Sequence, residues 1–230
     1  IGQEEIDAVV AVMKSGMIAS GSVVTDFEVA FADYIGAPFG VASSNGTTAL
    51  HAALLGLGIS EGDKVLTTPF TFIASSNSIL FNRATPVFID IDRDTFLLDL
   101  DLLESYLESK AILVVHLFGL ACDMPRLMKI AEKYNLQVIE DCAQSHGAEI
   151  NSVKAGSFGD AACFSFYPTK NMTTSEGGIS LFKDQAKADL ARKYVNHGRV
   201  DQCKHDVLGY NYRMTNICAA IGLAQLEQID

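Results

Sequence analysis

An α/β fold with a mostly parallel central sheet and helices on both faces is predicted by two features of the chain's pattern. Short apolar runs alternate with segments of helical periodicity along most of the length. The runs are continuously apolar rather than alternating, as strands covered on both faces must be. With 230 residues, 49% hydrophobic and 20% charged, the chain has enough apolar side chain for one sizeable core. No repeat, low-complexity tract or internal boundary divides it, so residues 1–230 are read as one domain.

The elements follow in order. Ile6, Val9, Val10 and Met13 stand at i, i+3, i+4 and i+7 and predict an opening amphipathic helix, broken by Gly16 and Gly21. Phe27, Ala30, Phe31 and Tyr34 repeat the spacing, with Gly36 as the C-terminal stop. Strands are expected at Gly40–Ser43, Lys64–Thr67, Val87–Asp90, Ile112–His116, Val138–Glu140, Ala162–Phe166 and Gly178–Phe182. The segment Asp123–Tyr134 predicts a helix, with Asp123 as N-cap, Pro125 in the first turn and Leu127, Ile130, Ala131 and Tyr134 on one face. Thr215 caps a last helix whose face is Ile217, Ala220, Ile221 and Ala224 and which is expected to run to Asp230. In such sheets ligands bind beyond the carboxyl ends of the strands, so polar residues just after strands are the first candidates for chemistry.

The formal net charge of -11 argues against a nucleic-acid partner, which calls for a basic face. It leaves room for a phosphate held locally at a helix start. Five cysteines without a CxxC pair read as reduced thiols of a cytoplasmic protein. The longest apolar stretch, Ala111–Cys122, is interrupted by His116 and falls far short of the roughly 20 residues needed to cross a bilayer, so no membrane partner is expected. The chain opens on Ile1 and stops inside a helical pattern, which predicts truncation at both ends.

Several strand ends carry candidate chemistry. Ser43–Leu50 follows a strand and opens a helix; Gly46 allows close approach, and the helix start offers free N–H groups to an anion, though an ordinary capped turn fits as well. Phe72, in Thr71-Phe72-Ile73, is either a ring-stacking face or plain core. Asp141, at the end of Gln137–Ile139, is placed to meet a ring nitrogen. Cys142 and His146 beside it are too few for a good metal site, so no metal is expected. Lys170 lies in a polar loop between a strand end and Gly177-Gly178; Ser165 and Thr169 are candidates for a phosphate, and Lys170 for attack on a carbonyl. Arg213 is either an anion grip or a surface ion-pair partner.

Taken in order, these segments resemble the DegT/DnrJ/EryC1/StrS family of pyridoxal-phosphate (PLP) sugar aminotransferases, along essentially the whole chain. The residues carrying the resemblance include Asn45-Gly46-Thr47-Thr48-Ala49-Leu50, Pro69-Phe70-Thr71-Phe72-Ile73-Ala74 and His116-Leu117-Phe118-Gly119. They continue with Glu140-Asp141-Cys142-Ala143-Gln144-Ser145-His146, Ser165-Phe166-Tyr167-Pro168-Thr169-Lys170-Asn171 and Gly209-Tyr210-Asn211-Tyr212-Arg213-Met214.

The resemblance implies the large domain of the type I PLP-dependent transferase fold, without the C-terminal small domain. It implies that Lys170 holds PLP as an internal aldimine and shuttles a proton, and that Asp141 pairs with the pyridine nitrogen. It further implies Gln144 near the phenolic oxygen, Phe72 on the ring face, and Gly46, Thr47 and Ser165 around the phosphate. Asn211 is implied to reach the phosphate of a neighbouring subunit, and hence a homodimer with shared sites. The implied reaction moves the amino group of L-glutamate to the ketone of a nucleotide-linked keto-sugar. Dehydratase relatives carry histidine at the lysine position, so Lys170 favours transfer. A non-catalytic PLP-binding regulator and a sugar-modifying enzyme acting on another substrate are the competing readings.

Overall fold

A computed structural model of the protein describes residues 1–106 and 108–229. Two helices open the chain, α1 (Gln3–Ser15) and α2 (Ser22–Ile35). Each stops where a glycine takes the left-handed conformation, Gly16 at φ 74° and Gly36 at φ 87°, a region that side chains with a Cβ avoid. There follow β1 (Phe39–Ser43), α3 (Gly46–Gly56), β2 (Lys64–Thr67), α4 (Ala74–Phe81), β3 (Thr85–Phe88) and β4 (Ala111–Val115). Then come α5 (Met124–Tyr134), β5 (Gln137–Asp141), the short pair β6 (Glu149–Ile150) and β7 (Val153–Lys154), β8 (Ala161–Ser165), β9 (Gly178–Phe182), α6 (Gln185–Val195) and α7 (Asn216–Leu226).

The seven-stranded sheet has the order β1-β9-β8-β5-β4-β2-β3. From β8 to β3 every pairing is parallel, while β9 runs antiparallel to both of its neighbours. The mostly parallel α/β architecture expected from the apolar runs is therefore present, with one reversed strand. Alternation along the inner strands sorts side chains between two faces. Val41 and Cys163 join one core with Leu54, Ile79 and Leu127, whereas Ala42 and Phe164 join a second with Phe27 and Phe31. Helix α3 packs over β8, β9 and β1 and touches α4 and α6; α2 lies against β1 and α7, and α1 against α7.

The second core is aromatic. Phe31 meets Phe164 at 5.0 Å and Phe166 at 5.1 Å, and Phe27 meets Phe166 at 5.2 Å, all edge-on. This is the arrangement ring quadrupoles prefer. Burying each such ring stabilises the fold by about 1.5–3 kcal/mol, which fixes α2 across the strands that carry the candidate lysine loop.

Several element bounds differ from expectation, and one hairpin is added. β3 begins at Thr85 rather than Val87, because Pro86 lies on an edge strand where its missing N–H leaves no ladder position empty. β4 ends at Val115, and α7 ends at Leu226 rather than continuing; Asp230 lies outside the described residues. The β6–β7 hairpin was not expected. Its turn residues Asn151 and Ser152 both take positive φ, 52° and 63°, as a primed turn requires. No helix among the described residues is long and apolar enough to cross a membrane.

Candidate active site

Strand ends gather the chemistry. Gly178 pairs with Ser43 on one side and Ser165 on the other, so β1 and β8 finish where β9 starts. A Cβ on Gly178 would lie 2.4 Å from the Asn45 carbonyl oxygen, so only glycine lets the start of α3 rest there. Asn45 caps α3, its side chain accepting from the Thr48 N–H at 2.9 Å while its own N–H donates to Thr48 Oγ1 at 3.1 Å. The Gly46 and Thr47 N–H groups take no part in this cap and remain donors at the positive end of the helix dipole. Gly46 also abuts Ser165, whose Cβ would be 2.6 Å from a Cβ at position 46.

A cavity of about 360 Å³ opens at this level. Gly46, Thr47, Phe72, Asp141, Gln144, Ser165 and Lys170 all line it, so seven of the eight residues expected from sequence converge. Asn211 does not. It is exposed on the segment before α7 and bridges to Asn196.

Asp141 is buried and accepts from Ser75 Oγ at 2.8 Å and from the Ala143 N–H at 3.2 Å. Burial pushes its carboxyl above the usual range, against the opposing pull of those hydrogen bonds and of His116 and Lys170. Such a carboxylate is suited to a cationic N–H from a ligand. Lys170 is half-buried on the β8–β9 loop. That loop is closed by the Phe166 N–H on the Gly177 carbonyl at 2.9 Å and by Thr173 Oγ1 on the Phe166 carbonyl at 2.9 Å. No hydrogen bond ties down the Lys170 amine among the described residues, and no other lysine lines the cavity. Gln144 Oε1 accepts the Phe118 N–H at 2.8 Å, which anchors its amide at the cavity wall. Phe72 is 74% exposed, a ring without a packed partner rather than core.

A flat, phosphorylated, ring-nitrogen cofactor with a carbonyl fits this donor set. There is a helix start with a glycine-serine contact for the phosphate, a buried carboxylate for the ring nitrogen, and among the described residues an amine without a hydrogen bond for the carbonyl.

Sequence reasoning missed two features. Ser75 and Thr71 reach the site by a tertiary contact and carried no local signal beyond being hydroxyls at a helix start. Glu140 read as a plain strand-end residue, yet its buried carboxylate collects four donors: the N–H groups of Phe158 (2.9 Å), Gly159 (2.7 Å) and Gly156 (2.8 Å), and His116 Nε2 (3.0 Å). His116 Nδ1 accepts from the Cys122 N–H at 3.1 Å, so the proton lies on Nε2. His116, Glu140 and Cys142 are close enough together to suggest a metal, but both ring nitrogens and both carboxylate oxygens are already engaged. His146 packs among Phe31, Phe164 and Phe166, and burial pushes its ring down to about 4, so it is a neutral core group. Glu140→Gln is expected to lower stability by about 2–4 kcal/mol, because an amide NH2 would face backbone N–H donors. A urea midpoint equal to that of the unaltered protein would rule this out.

Residues 1–230 match the model of the DegT/DnrJ/EryC1/StrS aminotransferase family. The chain is 46% identical over 231 residues to a GDP-perosamine synthase of Caulobacter vibrioides, covering 98% of this chain and 62% of that one. It is 42% identical over 205 residues to a UDP-N-acetyl-3-dehydro-alpha-D-glucosamine 3-aminotransferase of Acidithiobacillus ferrooxidans, covering 88% and 56%. Among solved structures it is similar to NtdA from Bacillus subtilis with bound cofactor PMP, at TM-score 0.92 and 30% identity over 100% of this chain and 54% of that one. The chain spans about three fifths of the length of the curated relatives it matches.

Proposed function

The chain belongs to the DegT/DnrJ/EryC1/StrS aminotransferase family, and on that premise we propose that it is the cofactor-binding part of a PLP-dependent enzyme moving an amino group from L-glutamate to the ketone of a nucleotide-linked sugar. The observation that carries this reading is the meeting of Asp141, Lys170 and the start of α3 in one cavity. The names of the relatives, one acting on a GDP-linked and one on a UDP-linked sugar, support the substrate class.

When bound, PLP supplies an electron sink for the carbon that gives up or receives the amino group. Gly46, Thr47 and Ser165 would hold the phosphate through N–H and hydroxyl donors. Asp141 would pair with the ring nitrogen and keep its proton in place. Phe72 would cover a ring face, and Gln144 would bind the phenolic edge. Lys170 Nζ would attach to the carbonyl carbon and, when free, would carry a proton at the reacting carbon. Asn211, exposed and outside the cavity, is assigned to the site of a second copy, which makes the enzyme a homodimer with shared sites. Its five free cysteines fit a cytoplasmic location.

The test is a visible absorbance spectrum of the full-length protein with PLP, before and after L-glutamate. A yellow band that moves to the near-ultraviolet on adding glutamate is expected. A protein that binds PLP but ignores glutamate would remove that donor, and one that gives no band would remove the cofactor.

A further inference from the structure

The carboxylate at the base of the cavity is held by a pair of hydroxyls with a fixed direction. Ser75, in the first turn of α4 and 1% exposed, places its Oγ 2.8 Å from Asp141 Oδ2. Thr71 Oγ1 lies 3.0 Å from Ser75 Oγ. With Asp141 ionised, its carboxylate only accepts, so the single proton of Ser75 goes to it. In that state the Thr71 hydroxyl donates to Ser75. The proton order runs from Thr71 to Ser75 to Asp141, across 66 residues of chain between serine and aspartate.

We propose that Ser75, oriented by Thr71, is a positioning residue that fixes the carboxylate of Asp141 and keeps it ionised for a cationic ring nitrogen in the cavity. This deepens the functional reading and rests on it for the identity of that ring.

The other groups around Asp141 do not duplicate this role. His116, the residue after β4, has its Nε2 proton committed to Glu140 and its Nδ1 to the Cys122 N–H. Lys170 makes no side-chain hydrogen bond among the described residues, so its charge acts only through space. Glu140 precedes Asp141 on β5 and therefore points to the other face of the strand, where four donors hold it. The neighbouring thiols of Cys142 and Cys163 are raised well above their ordinary range by burial and stay uncharged. The Ala143 N–H holds Oδ1 but, as a backbone group of the same turn, cannot fix the carboxylate against α4. Among the described residues, Ser75 alone ties it by a hydrogen bond to another element.

The test uses full-length protein freed of cofactor and labelled with 13C at the aspartate side-chain carboxyl, with Asp141→Asn identifying the resonance. In Ser75→Ala the Asp141 titration should move to higher pH, because a hydrogen bond to the charged form is lost. Ser75→Thr should restore it, and Thr71→Val, which leaves Ser75 in place, should move it in the same direction by less. With cofactor bound, single-turnover amino transfer from glutamate should fall about tenfold in Ser75→Ala while the half-saturating glutamate concentration stays constant. An unmoved Asp141 titration in folded Ser75→Ala overturns the proposal. If Ser75→Ala does not fold, an unmoved titration in Thr71→Val overturns it. A titration that moves in protein that takes up no PLP supports the hydroxyl pair and sinks the functional reading instead.

Discussion

Replacing Lys170 by alanine is expected to abolish covalent capture of the cofactor and to slow amino transfer by at least about a thousandfold, since both the attachment and the proton carrier disappear together. The change should leave the fold alone. The Lys170 side chain makes no hydrogen bond among the described residues, and its loop is closed by backbone and threonine contacts that do not involve the amine. Stability should therefore change by no more than about 0.5 kcal/mol. Borohydride reduction followed by intact mass reads the result directly: the wild-type chain gains the cofactor's mass and Lys170→Ala does not. Capture at wild-type yield in the variant would mean that a lysine outside the cavity lining reaches in, and the assignment would fall.

Asp141→Asn is expected to slow transfer about a hundredfold or more while weakening cofactor binding about tenfold or less. The two amide positions cannot both replace carboxylate oxygens. In one orientation Nδ2 faces the Ala143 N–H, donor against donor. In the other it faces Ser75 Oγ, which must then accept instead of donate, so the hydroxyl pair with Thr71 has to reorient. Part of that loss is offset because burial already opposes a charge at this position. The folded state should survive with a loss of about 1–2 kcal/mol, while the ring nitrogen would lose the buried carboxylate of the cavity lining. Rapid-mixing absorbance of the glutamate half-reaction separates rate from binding. Turnover equal to the wild type would remove Asp141 from the chemistry.

Much of this architecture is legible in the chain. β2 and β9 fall on the apolar runs Lys64–Thr67 and Gly178–Phe182 as read, and Asn45, Asp123 and Thr215 cap their helices through side-chain acceptors. The direction of β9 was not legible, since a buried apolar run reads alike whichever way it pairs. Lys170 and Asp141 stood out as an amine and a carboxylate following strands of a parallel sheet, and the structure brings both to the lining of one cavity. Ser75 was not, because a serine in Ala74-Ser75-Ser76-Asn77 reads as local backbone bonding at a helix start. The surroundings of His146 were not legible either: Phe31, Phe164 and Phe166 pack around it and make it a neutral part of the core. Such contacts are set by tertiary packing, on which local spacing is silent.

The two adjacent carboxylates of β5 also bear on how the chain finds its register. Glu140 and Asp141 face opposite sides of the sheet, and the loop around Gly156, Phe158 and Gly159 supplies its N–H groups to Glu140 alone. Sliding β5 by one residue in either direction would turn both side chains to the opposite faces and take Glu140 away from the three N–H groups that hold it. A buried carboxylate stripped of its donors is costly, so the acidic pair opposes a strand slipped by one place.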